Sequence, residues 1–181
     1  MNAAMVDASV RSTPTSGNTA SSDSSAGAFT QVVSFRLANE EYGVDIMRAQ
    51  EIIMVPRITR LPEVPDYICG LINLRGRVIP VLDLRRRFGL PAKEADEQTR
   101  IIVVNVESRT IGIVVDAVTE VLRIMPEQIE PPPTGSAGIG PEYIRGIIKR
   151  NDKLIIMLRI EEILSAISLS AIAPAAGEGA D

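Results

Sequence analysis

The stretch PDYICGLI at residues 65–72 returns as PEYIRGII at residues 141–148, with proline, an acid, tyrosine, isoleucine and glycine in the same order. These two segments lie 76 positions apart. Upstream matches lie 69 positions apart and include Val33 with Ile102, Gly43 with Gly112, and Glu51 with Glu120. The shorter spacing indicates a short insertion in the second copy. Because such self-similarity is typical of duplicated units, two related units make up most of the chain.

The composition favours a small β-rich domain. The chain has 181 residues, of which 45% are hydrophobic but only 3% aromatic, so its interior must be built from Val, Ile, Leu and Met. Branched aliphatic residues favour strands. Residues 1–30 and 171–181 are rich in Ser, Ala and Gly and are expected to form a disordered and a flexible tail. About 150 residues remain, enough for one compact domain or for two small barrels that share a core.

Within each unit, apolar residues alternate with polar ones in short segments separated by Pro and Gly. Val33, Phe35 and Leu37 alternate with polar neighbours, and residues 40–45 read as a returning strand. Continuing in this way gives five strands per unit. The sequence therefore predicts an all-β fold of two five-stranded barrels.

The barrels are expected over about residues 31–90 and about residues 99–160. The connector between them and the Pro- and Gly-rich residues 130–140 should lie on the surface. A carboxyl-terminal helix over about residues 160–168 should follow, because apolar residues recur there at helical spacing.

Three local features have specific structural interpretations. Pro65 suits the start of a brief helical turn, which Gly70 would close in the left-handed conformation. Arg75-Gly76 is expected to be a tight turn between two strands. Asp83 follows a strand and precedes a short helical segment, so a helix N-cap explains it better than a catalytic acid.

Little in the sequence points to catalysis. The chain has no histidine, which removes the commonest general base and a common metal ligand. Cys69 lies next to apolar Ile68 and is expected to be a half-buried structural thiol rather than a reactive one. No nucleotide-binding glycine loop is present either. We therefore expect no catalytic residue, no metal site and no cofactor.

Charge and hydropathy limit the partners. The formal net charge of −4 argues against nucleic acid. Arg85-Arg86-Arg87 is a basic run that could touch phosphate, but a solvated helix face is the better interpretation. Apolar runs are too short for the roughly 20 residues of a membrane helix. A single cysteine fits a reducing cytoplasm.

Several segments resemble the bacterial chemotaxis coupling proteins of the CheW family. They are EYGVDI at 41–46, QEI at 50–52, GLINLRGRVIPVLDLR at 70–85 and GIVVD at 112–116. The resemblance covers residues 31–168, and its Asn-Leu-Arg-Gly block is also typical of the homologous regulatory domain of the chemotaxis kinase CheA. It implies that both barrels are SH3-like, pack on a common core and lack catalytic activity.

The same resemblance implies partners. Proteins of this family couple the cytoplasmic tips of transmembrane chemoreceptors to the histidine kinase CheA, and they form ring contacts in receptor arrays. The expected location is cytoplasmic, with peripheral attachment to the receptors and no insertion into the membrane. An adaptor of another receptor–kinase system, such as twitching motility, would have the same fold and remains an alternative.

Position by position, the resemblance implies two binding surfaces. The receptor-binding positions are Glu51, Gly70, Arg75, Val118 and Val121. The kinase-binding positions are Ile46 and Ala49. From the residues alone, Arg75 is better explained as a solvated turn residue, and Ile46 and Ala49 as ordinary core residues. In the second unit Asn151 replaces Arg75, so the two copies differ at this turn.

Overall fold

The computed structural model describes residues 28–134 and 139–167, and these residues form a mostly β protein. The predicted tails and the end of the predicted helix lie mostly outside this range. Strands follow each other closely, with one short helix after each repeat of the fold. The strands and α-helices are β1 Thr30–Leu37, β2 Glu40–Asp45, β3 Ala49–Met54, β4 Ile68–Leu74, β5 Arg77–Asp83, α1 Leu84–Arg87, β6 Arg100–Val106, β7 Arg109–Val115, β8 Ala117–Ile124, β9 Ile129–Glu130, β10 Ile144–Arg150, β11 Lys153–Leu158 and α2 Ile160–Ser165. Two 3-10 helices, Pro126–Gln128 and Pro141–Tyr143, precede β9 and β10.

The duplication is visible in the element boundaries. Strands β4 and β5 and their counterparts β10 and β11 start 76 positions apart, as do α1 and α2. Both units make the same backbone contact before the helix, since the N–H of Asp83 donates to the Tyr67 carbonyl and that of Arg159 to the Tyr143 carbonyl, each at 2.8 Å. The prediction of an all-β fold built from two similar units is therefore confirmed.

The strands of the two units are exchanged between two sheets. One sheet has six strands in the order β8-β1-β2-β11-β10-β9, and the other has five in the order β3-β6-β7-β5-β4. The first two strands of each unit therefore join the last two strands of the other. Parallel pairs between β2 and β11 and between β5 and β7 make these junctions.

This exchange corrects the predicted barrel boundaries. Residues 31–90 and 99–160 are not separate barrels, because each sheet draws strands from both stretches. Local alternation predicts where strands occur, but pairing between distant strands depends on which apolar faces become buried together. The two-residue strand β9 adds a sixth strand to one sheet.

Three apolar clusters stabilise this arrangement. Each sheet curls around its own interior: Ile72, Ile79 and Ile101 pack inside the five-stranded sheet, and a matching set packs inside the six-stranded sheet. A larger central cluster lies between the sheets and includes Phe35 and Ile102. Strands β1 and β6 supply residues to both kinds of cluster and are buried on both faces along most of their length.

The local predictions have mixed outcomes. Asp83 is the N-cap of α1, because its carboxylate accepts from the Arg85 N–H at 2.9 Å. Arg75-Gly76 forms the predicted tight turn, with φ of 52° and 81°. Gly70 does not end a helical turn: it lies inside β4 at φ 141°, beside a register shift in the pairing with β5.

Candidate interaction site

Two residues assigned to the receptor surface contact each other. Arg75 lies at the turn between β4 and β5, and Glu51 lies on β3 at the opposite edge of the five-stranded sheet. The guanidinium of Arg75 donates to the two carboxylate oxygens of Glu51 at 2.8 and 2.9 Å. Their side chains are 76% and 25% exposed. The five-stranded sheet curls into a barrel, and the ion pair joins the two edges of that barrel. The pair leaves the charged guanidinium of Arg75 exposed to solvent.

The local backbone explains why Arg75 projects outward. Positive φ at two consecutive turn residues is typical of a type I′ turn, which suits the twist of a hairpin. The Asn73 side chain accepts from the Gly76 N–H at 2.9 Å and stabilises this turn. Since three donors on a planar guanidinium still face away from Glu51, the group can bind a further carboxylate or carbonyl.

Gly70, a third residue assigned to the receptor surface, lies inside β4. It is buried, and a Cβ at this position would collide with the carbonyl oxygen of Thr59. Thr59 and Leu71 exchange backbone hydrogen bonds of 2.8 Å just beside it. Gly146 occupies the equivalent place in the second unit, where a Cβ would collide with Ile129. Glycine at position 70 therefore allows the segment after β3 to close the barrel.

The remaining two receptor-surface predictions lie on the other sheet. Val118 and Val121 belong to β8, an edge strand of the six-stranded sheet. Val121 is 50% exposed, whereas Val118 is half-buried and packs against the central cluster. The predicted receptor surface therefore draws residues from both barrels, and its shape depends on how the barrels are oriented.

The kinase-surface predictions fall on the segment that crosses from β2 to β3. Ile46 and Ala49 are half-buried against the central cluster, so they are less available than expected. Met47 lies between them and is 85% exposed. The Met47 backbone N–H donates to the Asp45 carboxylate at 2.9 Å. This hydrogen bond stabilises the turn in which the Met47 side chain faces solvent.

Sequence reasoning missed this exposed apolar set. Ile52 and Met54 are 41% and 71% exposed and alternate with the inward-facing residues of β3. The period of two along this strand was the available signal. Met47 gave no periodic signal, because a turn residue can point in any direction. Ile52 and Met54 therefore lie on the outer face of β3, opposite to the face that carries Glu51.

The second unit does not reproduce the charged tip. Asn151 and Asp152 form the equivalent turn, with φ of 45° and 62°. Glu120, the counterpart of Glu51, faces Arg150 at 4.0 Å, the limit for an ion pair. The turn geometry is shared, but the close bidentate pair is found on the first unit's turn.

The basic run does not form the solvated helix face that its sequence indicated. Arg85 is 12% exposed and makes a multidentate ion pair of 2.8–3.0 Å with Asp116, which is 8% exposed. Arg87 lies over the rings of Tyr67 and Tyr143. Arg86 is the member of the run that faces solvent, at 44% exposure. A helix of one turn has no fully solvated face when it packs between two sheets.

Cys69 and Asp83, two titratable groups with raised pKa values, line a cleft beside the five-stranded sheet. Burial, and then the nearby Asp83 carboxylate, raise the pKa of the Cys69 thiol to about 11, so the thiol is protonated at neutral pH. Burial also raises the pKa of Asp83. A protonated thiol is a poor nucleophile. Among the described residues, no group of three or more His, Cys, Asp or Glu side chains could hold a metal ion.

Comparisons with known proteins agree with this arrangement of two barrels. The sequence-family model of the CheW-like domain matches residues 31–168. That range covers more than half of the chain. The chain belongs to the CheW-like domain family.

The relatives are similar over most of their length. The chain is 42% identical to the chemotaxis protein CheW of Klebsiella aerogenes, covering 73% of this chain and 80% of that protein. It is 41% identical to CheW of Helicobacter pylori, covering 74% and 81%. The scaffolding protein TtCheW from Thermoanaerobacter tengcongensis has a solved structure that matches with a TM-score of 0.70 at 40% identity, covering 75% of this chain and 88% of that one.

Within residues 28–134 and 139–167, no helix has the length and apolar character needed to cross a bilayer.

Proposed function

We propose that this chain is a non-catalytic chemotaxis adaptor that couples transmembrane chemoreceptors to the histidine kinase CheA and helps to assemble receptor arrays. The family match and the names of its relatives, chemotaxis and scaffolding proteins, support this function. They do not favour the alternative of a twitching-motility adaptor. The structural observation that carries the proposal is the Arg75–Glu51 pair, whose arginine is 76% exposed at the turn between β4 and β5.

Receptor binding at this pair has a physical basis in the exposed guanidinium of Arg75. Arg75 remains 76% exposed although it is paired, so its outer donors are already held in one orientation by Glu51. A helical hairpin at a receptor tip presents carboxylates and helix-end carbonyls, which are good partners for a guanidinium fork. Val121 would add apolar contact from the second barrel.

Kinase binding is proposed for the segment that contains Ile46 and Ala49. Their half-buried side chains would shape the surface, and Met47 would supply most of the apolar contact. Met is an adaptable side chain in protein interfaces. Docking of a homologous barrel here would cover the neighbouring edge strand β3. Further contacts of the same type would allow self-association or rings with the kinase.

The location follows from the partners. A protein that binds the cytoplasmic tip of a receptor would lie near the membrane through that contact alone. The proposed partners include no nucleic acid and no lipid.

The decisive experiment measures kinase activity with receptor-bearing membranes, with and without this protein. Unchanged kinase activity would argue against coupling. The variant Arg75→Glu should reduce co-sedimentation with receptor membranes by tenfold or more, because charge reversal replaces attraction by repulsion (about 1.4 kcal/mol per tenfold change). The fold should persist, since an exposed ion pair contributes only about 0–1 kcal/mol.

Asn151→Glu is the matched control. It places the same carboxylate at the equivalent turn of the second unit, where no receptor contact is proposed. Normal receptor binding by Asn151→Glu together with loss in Arg75→Glu supports the proposed site. Equal binding by Arg75→Glu and the unmodified protein would rule out a role for Arg75.

A further inference from the structure

The short segment formed by α1 and Phe88 links the two barrels. It follows β5 of the five-stranded sheet, yet three of its side chains contact residues associated with the six-stranded sheet. Arg85 pairs with Asp116, whose carboxylate also accepts from the Ala38 N–H in the β1–β2 turn at 2.8 Å. Phe88 stacks on Tyr42 of β2, with 6.0 Å between ring centroids.

The third link is the most specific one. Tyr67 precedes β4, and Tyr143, its counterpart in the duplication, precedes β10. The guanidinium carbon of Arg87 lies over both rings, at 5.7 Å from the Tyr67 centroid and 5.3 Å from that of Tyr143. Arg87 also donates to the Tyr143 hydroxyl at 3.1 Å. One cation therefore joins the two equivalent tyrosines, one from each sheet.

The position of Arg87 within the duplication shows that this link is asymmetric. Its counterpart 76 positions later is Ile163, which is fully buried in the central cluster. Arg87 Nε is buried and has no hydrogen-bond partner among the described residues. A buried unpaired donor costs free energy. The contacts of Arg87 with the two tyrosines therefore fix a geometry at a cost in stability.

We propose that Arg87 is a positioning residue that fixes the relative orientation of the two barrels and thereby shapes the receptor-binding surface. The receptor residues proposed above lie on both sheets: Glu51 and Arg75 on one, Val121 on the other. A single helical hairpin can contact both only while the barrels keep one orientation. Holding that orientation before binding avoids an ordering cost during binding. This inference rests on the proposed function for its consequence, but not for its geometry.

The orientation can be measured without any partner. Val78 and Leu154 are equivalent positions on β5 and β11, each 55% exposed, one in each sheet. Spin labels on Val78→Cys and Leu154→Cys, in the full chain with Cys69→Ser, report the distance between the barrels by double electron–electron resonance. We expect one narrow distance distribution in this parent protein.

Arg87→Met removes the cation and keeps most of the side-chain length. We expect a distance distribution at least twice as broad, or a shifted maximum, in protein that remains folded by circular dichroism. Receptor affinity should fall about tenfold if one molecule in ten keeps the competent orientation. Arg87→Lys keeps a cation over the rings and should restore most of the narrow distribution. Tyr143→Leu should behave like Arg87→Met, and it provides a second test if Arg87→Met fails to fold.

Arg86→Met is the matched control. Arg86 is exposed, and it contacts Asp83 and the Asp66 carbonyl, which both belong to the part of the chain that forms β4 and β5. This control should leave the distances unchanged. Unchanged distance distributions in both Arg87→Met and Tyr143→Leu would overturn the inference, even if both variants were less stable. If the variants broaden the distances but the unmodified protein does not couple receptor to kinase, the proposed function is refuted. The positioning role of Arg87 then remains supported.

Discussion

Removing one member of the buried Arg85–Asp116 pair should strongly destabilise the fold. Arg85 Nε and Nη2 contact the Asp116 carboxylate at 2.8–3.0 Å, and the side chains are only 12% and 8% exposed. The same carboxylate accepts from the Ala38 N–H at 2.8 Å. Arg85→Met would leave a buried carboxylate with that backbone donor but without its cation.

The expected loss is large compared with the stability of a small domain. Deleting one partner of a buried ion pair costs about 3–5 kcal/mol, whereas the whole free energy of unfolding is about 5–15 kcal/mol. The double variant Arg85→Met/Asp116→Asn should be more stable than Arg85→Met alone. Asparagine still accepts from the Ala38 N–H, and no unpaired charge remains buried.

Urea unfolding followed by far-UV circular dichroism measures these free energies, provided that the m-value stays constant. Arg86→Met serves as the control, because Arg86 is 44% exposed and its 3.6 Å pair with Asp83 should contribute less than about 1 kcal/mol. A loss below 1 kcal/mol in Arg85→Met would mean that solvent reaches the pair. A double variant that lost as much as the sum of both single variants would show that the buried charge was not the cause.

Three further predictions concern backbone geometry, capping and titration. Gly70→Ala should lower the free energy of unfolding by about 2–3 kcal/mol in urea titrations, because its Cβ collides with the Thr59 carbonyl; wild-type stability would contradict this close approach. Asp83→Ala should cost about 1 kcal/mol through loss of the α1 cap, and Asp83→Asn should recover most of it in the same measurement. Cys69 has its pKa raised from 9.0 to about 11, so its contribution to stability is present below pH 9 and lost as the pH rises towards 11. Alkylation of Cys69 by iodoacetamide should therefore be slow at pH 7 and increase up to about pH 11; a plateau near pH 9 would indicate an exposed thiol.

Features that depend on neighbouring residues were predictable from the sequence. The Arg75-Gly76 turn and the Asp83 cap need only residues within a few positions. The repeat also predicted equivalent strands, because equal patterns of apolar and turn residues fold alike locally. Helix α2 falls within the predicted range, since its apolar residues recur with the helical period.

Features that depend on contacts between distant segments of the chain were not predictable from the sequence. Alternating apolar residues show that β1 and β2 are strands, but they do not show that β2 pairs with β11 rather than with β5. The barrel boundaries inferred from the order of strands along the chain were therefore wrong. The three arginines of α1 looked like a solvated face, because nothing nearby in sequence shows that Asp116 and Tyr143 will meet them. The close approach of the Thr59 carbonyl to Gly70 was also not predictable, because these residues lie on separate segments.

The duplicated PDYI and PEYI segments separate the features that the sequence determines from those that the tertiary structure determines. By itself the sequence determined two strand-rich units, a shared turn motif and the absence of histidine chemistry, because these follow from local composition and order. Only the tertiary structure decided that the units exchange strands, that Glu51 reaches Arg75, and that Tyr67 and Tyr143 hold one arginine between them. These contacts join residues far apart in the chain, and they form only where burying the shared apolar core outweighs the entropy lost in closing long loops.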